Sequence, residues 1–387
     1  MGKKLEIYPK SKSYYRVDYL YIIILLAFQL CFLIQLYFTI VIHRKLSLYK
    51  PEQSDIVVSS PVSVIICARN ELENLKKNLG YFLNQVHPDF EVVVVNDCSN
   101  DGTDWYLKDL AEEHTNLKVV TLSDHPRFKH GKKFAVTLGI KASRNENMIF
   151  SDADCRPSST QWLSKMQNNF RNDIEIVLGY SPYERTGGLL NRIIRFETFF
   201  TALNYISFAL AGMPYMGVGR NLAYKKSLFF RGKGFASHMH ILSGDDDLFV
   251  NQNATSGNTT VEIHPEAQVW SEPKYSFGDY FNQKVRHQGA GKAYQLKHKR
   301  ILSLQAASGV LFYLLIFAMI LIQAQWWLIL SIYLIRLAIQ VFVYVPCFRK
   351  LSCPDLIWWM PVLDFIYYFY LMFLSFVSVF KKRLEWK

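Results

Sequence analysis

Four short apolar runs, spaced by stretches of helical periodicity, fill residues 62–151 and leave few folds open to this chain. Residues 62–67 are apolar but for Ser63 and mostly β-branched, as in a strand buried on both faces of a parallel sheet. Residues 72–86 have helical spacing. Residues 91–95 form a second strand that leads into Asn96-Asp97-Cys98-Ser99, and Asp101-Gly102-Thr103 opens the next helix. A third strand over residues 117–122, a helix over 132–142 and a fourth strand over 147–151 follow, the last delivering Asp152-Ala153-Asp154. This alternation predicts an α/β, doubly wound sheet with right-handed crossovers. Ligands bind such sheets beyond the carboxyl ends of the strands. Arg69-Asn70-Glu71, Asp97 and Asp152/Asp154 end those strands and are therefore expected to converge.

Apolar segments flank this body. Residues 19–42 are almost wholly apolar, long enough for a hydrocarbon layer of about 30 Å, and carry no small-residue cleavage site. They read as a retained anchor after a tail at residues 1–18, followed by a polar linker at 43–60 and the α/β domain at 61–299. Within that domain, residues 189–219 are apolar but interrupted by Arg192, Arg195, Glu197 and Asn204, which suits a helix lying against the membrane or the sheet. Residues 275–299 are basic and read as interfacial. A membrane region at 301–380 contains two spanning stretches (301–324 and 326–348). A third, at 356–380, carries Pro361 and Asp364 and reads as kinked, re-entrant or interfacial. A basic tail occupies 381–387.

Half the residues are hydrophobic, yet 20% are charged and the net charge is +12, which fits a polar body on membrane anchors. A basic excess attracts anionic membranes, phosphates or nucleic acid, but no basic–aromatic pattern of a nucleic-acid module is present, so nucleic acid is not expected as a partner. The six cysteines are scattered, which argues against a zinc site or a disulfide framework. Lys3, Lys4, Lys10, Lys12 and Arg16 place the N-terminus in the cytoplasm by the positive-inside rule, and a single crossing then puts the body outside. A substrate made in the cytosol would favour the opposite orientation.

Asp152 and Asp154, two residues apart in a strand-end turn, suit one hard divalent cation that neutralises a diphosphate leaving group. Such a pair also serves as an ordinary helix cap. Asp97 has the position to accept a hydrogen bond from a base, although Asn/Asp/Ser/Gly clusters are common turns. In Ser243-Gly244-Asp245-Asp246-Asp247, mutual repulsion raises proton affinity, as a general base needs. Gln283 and Arg286 share a helix face on which they can clamp phosphate. Lys132 begins a helix, where anions bind.

Together, and in this order, these clusters resemble the membrane-integrated branch of the inverting family 2 glycosyltransferases of GT-A fold, which includes ceramide glucosyltransferase and the cellulose, chitin and hyaluronan synthases. The resemblance covers about residues 61–294. It implies a Rossmann-like nucleotide-sugar-binding domain with transmembrane helices at both ends and a donor pocket lined by Asn70, Glu71, Asp97, Lys132, Asp152, Gln283 and Arg286. It also implies a metal, Mn2+ or Mg2+, on Asp152 and Asp154. Asp246 is matched to the catalytic base, with Asp245 open to a one-residue slip, and Arg220, Asn221 and His287 lie on the acceptor side. His287 replaces the tryptophan of the Gln-x-x-Arg-Trp signature. That departure favours single transfer, as to a lipid, over processive synthesis.

The resulting expectation is a multi-pass protein of a bacterial inner membrane with a cytosolic domain. It moves a sugar from a nucleoside diphosphate, uridine by resemblance, to a lipid or glycan. The alternatives are a non-catalytic nucleotide-sugar-binding subunit, a processive polysaccharide synthase and, from Arg336 and Asp364 within apolar stretches, a transporter. A simple pairing of Arg336 with Asp364 accounts for those two charges equally well.

Overall fold

The computed structural model describes residues 12–51, 60–123, 131–241 and 243–380. The basic tails at residues 1–11 and 381–387 and the side chain of His287 lie outside the described residues. The described residues open in α1 (Lys12–Tyr37), pass through a π-helical turn over Phe38–His43 and continue as α2 (Arg44–Leu48). The body opens with β1 (Val62–Ala68), α3 (Leu72–Leu83), β2 (Phe90–Asp97), α4 (Thr103–Glu113), β3 (Leu117–Leu122), α5 (Lys132–Ala142) and β4 (Asn147–Asp152). Next come β5 (Cys155–Pro157), α6 (Trp162–Gln167), β6 (Ile176–Gly179), α7 (Leu189–Leu210), β7 (Leu222–Lys225) and α8 (Lys226–Arg231). The body closes with α9 (Asp247–Asn253), β8 (Thr259–Glu262), β9 (Val269–Ser271) and α10 (Phe277–Gly291). Three long helices finish the chain: α11 (Leu296–Leu321), α12 (Trp326–Lys350) and α13 (Met360–Phe380).

Seven strands form the main sheet in the order β3-β2-β1-β4-β7-β6-β8, and β5 pairs separately with β9. β3, β2, β1 and β4 run parallel, whereas β7 is antiparallel to both of its neighbours. Val92, Val93, Val94 and Val95 are all fully buried, because helices cover both faces of the parallel half. On one face, Phe82 of α3 meets Trp162 of α6 edge-on. On the other, α5 comes so close that a Cβ on Gly139 would stand 2.7 Å from Ile65.

α7 joins the sheet to the membrane helices, and one continuous apolar core runs from Ile65 and Val93 through Phe196 and Phe199 to Tyr344 and Phe348. Phe199 stacks on Phe348 at 3.8 Å. The charges that interrupt α7 are used at these contacts: Arg195 grips Asp355 through two hydrogen bonds of 2.7 and 2.6 Å, and Glu197 pairs with Lys284 of α10. α7 therefore lies between sheet and bundle.

Four helical segments are long and apolar enough to cross a membrane, residues 19–48, Leu296–Leu321, Trp326–Lys350 and 354–377. Two boundary expectations change. The expected linker begins as helix, since α2 extends the first span to Leu48 and Lys350 Nζ caps it by donating to the carbonyls of Leu46, Ser47 and Tyr49. Pro361 sits in the first turn of α13, where a missing N–H costs nothing, so it does not kink the last helix. Arg336 and Asp364 do pair, at 2.9 Å.

Candidate functional site

The parallel strands deliver their polar ends to one edge of the sheet, as the topology requires. Beyond β1 and β2 the two loops are stapled together. Asn70, at φ 55°, donates from its backbone to Ser99 Oγ at 2.9 Å, and its side-chain oxygen accepts from Asn100 N at 2.9 Å. Asp101 Oδ2 accepts from Leu72 N at 3.0 Å, at the start of α3. Asp97 ends β2 fully buried, with the Arg69 guanidinium 4.0 Å away. A carboxylate carried to that depth needs compensation, and the adjacent cation supplies part of it.

Lys132, the first residue of α5, joins the ends of two further segments. Its Nζ lies 2.8 Å from Asp152 Oδ1 and 3.4 Å from Asp245 Oδ2. Burial opposes its charge, but Asp152, Asp245 and Asp246 outweigh that and hold its pKa well above the ordinary lysine value. Burial and the nearby charges of Asp154 and Asp152 raise the Glu71 carboxyl, although Asn74 donates to it. A small cavity of about 20 Å³, the size of a water site, lies among Cys67, Lys132, Ser151, Asp152, Gly219 and Asp246.

The acidic run splits into distinct environments. Asp246 caps α9, accepting from Asp247 N at 2.8 Å and from Gly219 N at 2.7 Å. Burial first, then the charge of Asp245, pushes its pKa up to about 6. Asp247 accepts from Tyr294 Oη at 2.9 Å and is pushed up to about 8, by burial and then by Asp246. On the next turn, Asn251 Oδ1 accepts from Gln295 N at 2.8 Å and its amide donates to Tyr215 O at 2.8 Å. The chain thus fastens α9 to the elbow before α11 at two successive turns.

Arg220 and Asn221 are neighbours with different surroundings. The Arg220 guanidinium lies over the Tyr183 ring at 4.4 Å, and its Nη2 donates to Ser181 O at 3.3 Å. Its Nη1 is buried and has no hydrogen-bond partner among the described residues. Asn221 is fully buried: its oxygen accepts from Trp162 Nε1 at 3.0 Å and its nitrogen donates to Tyr180 O and Ala267 O, both at 2.8 Å. That amide faces the core rather than an acceptor, so its geometry is that of a brace for the Gly219–Asn221 turn. Sequence alone hid this, because an Asn in a loop motif reads as polar surface.

Gln283 and Arg286 lie on α10, half-buried. The Arg286 carbonyl accepts from Ser243 Oγ at 3.3 Å, which brings this helix beside the acidic loop. α10 is held by the Lys284–Glu197 pair and by stacking of Tyr280 on Tyr370 of α13 at 5.7 Å. Lys133 reads in the sequence only as the neighbour of Lys132 at a helix start. It is buried, and its Nζ donates to His238 O at 2.6 Å and Ile241 O at 2.9 Å, holding the segment that precedes Ser243. A solvated lysine pair and this arrangement have the same sequence.

Among the described residues no group of three or more side chains is arranged to hold a metal ion. Asp152 and Asp154 are hard oxygen donors, and for a cation that arrives with a diphosphate one or two protein carboxylates suffice; here Asp152 Oδ1 meets Lys132 Nζ at 2.8 Å. The buried, unbonded Arg220 Nη1 is consistent with an anionic guest nearby.

Residues 63–230 match the glycosyl transferase family 2 model. Over 232 residues, 58% of this chain and 71% of the relative, the sequence is 26% identical to glycosyltransferase AglE of Haloferax volcanii. Over 228 residues it is 24% identical to the poly-β-1,6-N-acetyl-D-glucosamine synthase of Staphylococcus epidermidis, covering 58% of this chain and 53% of that one. Among solved structures, the mannosyltransferase PcManGT from Pyrobaculum calidifontis, in complex with GDP-Man and Mn2+, is similar with a TM-score of 0.57 and 18% identity. That similarity covers 90% of this chain and 98% of the other, and at this identity it is a likeness of fold.

Proposed function

This chain carries a family 2 glycosyltransferase domain on a GT-A fold, and from that premise we propose that the whole protein is an inverting transferase at a membrane. It moves a sugar from a uridine-linked nucleoside diphosphate to a lipid or glycan hydroxyl. The carrying observation is the Lys132 bridge to Asp152 and Asp245, with Asp246 beside it on Gly219 N, since this unites leaving-group and base residues in one cleft. Asn70, Glu71 and Asp97 receive the nucleoside, and Gln283 and Arg286 close over the diphosphate from α10. Asp152 and Asp154 would hold a divalent cation, which would supply charge neutralisation to the leaving diphosphate.

Asp246 accepts the acceptor's hydroxyl proton as that oxygen bonds to the anomeric carbon. The bond from that carbon to the diphosphate oxygen breaks, and its electron pair leaves with the nucleoside diphosphate. Lys132 and Arg286 stabilise that charge, and displacement from the opposite face inverts configuration. Arg220, over Tyr183, and His287 flank the acceptor. The catalytic domain faces the cytosol of a bacterial inner membrane, where activated sugars are made. Transfer is of one sugar, since α10 carries His287 in place of a stacking tryptophan.

The test is nucleoside diphosphate release by detergent-purified protein over a panel of nucleotide-sugars, with membrane lipid extract as acceptor and Mn2+ or Mg2+ against EDTA. Wild type is expected to turn over one donor only with metal, and Asp246→Asn to lose at least a hundredfold while still binding it. Unimpaired turnover by Asp246→Asn removes the base assignment. Binding without turnover on any donor and acceptor turns the reading to a non-catalytic subunit.

A further inference from the structure

A groove of about 540 Å³ opens at the end of the first span nearest the catalytic domain. Its walls are Ile40, Val41, Arg44, Lys45 and Leu48 from the π-helical turn and α2, faced by Leu210 at the end of α7. None of these residues lines the acidic cleft. The spacing is that of one helix face, with Arg44 and Lys45 one turn beyond Ile40 and Val41. Ile40 and Val41 are 42% and 44% exposed, and Leu48 is 62% exposed.

The groove has a physical origin in the local helix. His43 is drawn inward by hydrogen bonds to Tyr344 Oη and Asn204 Oδ1, both at 2.9 Å. The widened π turn takes up the extra residue and leaves the following face turned outward. A third cation at this level, Lys350, is consumed in capping α2. Arg44 and Lys45 are exposed, and among the described residues neither meets a carboxylate. A volume of this size is in the range of ligand sites, about 300–1,000 Å³.

We propose that this groove is a site for one resident anionic phospholipid, distinct from the acceptor. The phosphodiester lies between Arg44 and Lys45, and an acyl chain runs down Ile40 and Val41 toward the bilayer interior. Charge complementarity selects the headgroup: two cations that meet no carboxylate among the described residues follow a strip of apolar surface at the end of the first span. Leu48 and Tyr49, whose hydroxyl donates to Val261 O at 3.2 Å, close the side nearest the catalytic domain. The lipid would thereby bridge the first span and α7.

The test needs no substrate. Purified full-length protein is delipidated and exposed to equal amounts of phosphatidylglycerol and phosphatidylcholine with matched chains, and retained lipid is read by native mass spectrometry. Wild type is expected to keep one phosphatidylglycerol in preference, and high salt to weaken that preference. Arg44→Gln with Lys45→Gln should lower the preference by roughly 25-fold, about fivefold per cation, while Arg44→Lys with Lys45→Arg retains it. Equal retention of both lipids by wild type, or unchanged preference in the double Gln variant, overturns the site. If the double variant does not yield folded protein, the salt dependence of wild type and the Arg44→Gln single variant decide the question.

Discussion

The Arg336–Asp364 pair allows a quantitative test of what holds the membrane bundle together. Both residues are 2% exposed, and Asp364 Oδ2 receives Arg336 Nη1 at 2.9 Å and Tyr313 Oη at 2.5 Å. Arg336 Nη2 also donates to Gln35 Oε1 at 3.3 Å, and Gln35 in turn reaches Ser308 at 2.7 Å. Neutral hydrogen bonds between membrane helices contribute only about 0.6 kcal/mol each, so they do not dominate. Removing one member of a buried pair strands the other charge, at about 3–5 kcal/mol. The two truncations should differ. Arg336→Met leaves an aspartate that can take up a proton, at about 3 kcal/mol, whereas Asp364→Leu leaves a guanidinium that cannot lose one, toward about 5 kcal/mol. The double variant, apolar at both positions, is expected within about 1 kcal/mol of wild type. By the scaling for domains of 150–250 residues, roughly 2–4 °C per kcal/mol, the single variants should melt some 6–20 °C lower and the double close to wild type. Thermal unfolding of the four proteins in one detergent gives the coupling energy. If the two single losses simply add in the double variant, the pair is not an energetic unit and the reasoning fails.

Three further outcomes follow from the catalytic domain. Asn221→Ala should cost on the order of 3 kcal/mol, because the Trp162 indole N–H and the carbonyls of Tyr180 and Ala267 lose their buried partner; a melt unchanged within error excludes the brace. Tyr294→Phe removes the hydrogen bond to Asp247 and should lower kcat several-fold with donor affinity unchanged, since it loosens α9 and not the loops after β1 and β2; a loss confined to KM contradicts this. Asp246 is raised from 3.8 to about 6, so it holds its proton below that pH and turnover should fall as pH drops through 6. Its stability contribution has the opposite sense: it is full below 3.8 and lost as pH rises through about 6. Asp246→Asn should therefore melt above wild type at alkaline pH, and that advantage should vanish below pH 3.8.

Much of the body was legible because its signals are local. Val92–Val95 are apolar on both faces, and only a strand covered on both sides buries them all. The expected bounds of the third strand and of the helix after it coincide with Leu117–Leu122 and Lys132–Ala142. Parallel topology then brings Asn70, Asp97 and Asp152 to one edge without further information. Less was legible beyond β4. β7 enters the sheet antiparallel as a four-residue strand, too short for its periodicity to stand out. The fate of a polar side chain was least legible. Asn221 and Lys133 turn inward because carbonyls and an indole await them from segments distant in the chain.

Sequence by itself determined the α/β body, the apolar ends and the identity of the acids that meet at the strand tips. These follow from periodicity and from the chirality of crossovers, which act over a few residues or a single βαβ unit. Only the tertiary structure decided that α7 lies between sheet and bundle, that Asp246 rests on Gly219 while Asp247 bonds to Tyr294, and that Arg336 faces Asp364. Those outcomes depend on which distant groups arrive at the same place, and on whether each buried charge finds a partner there.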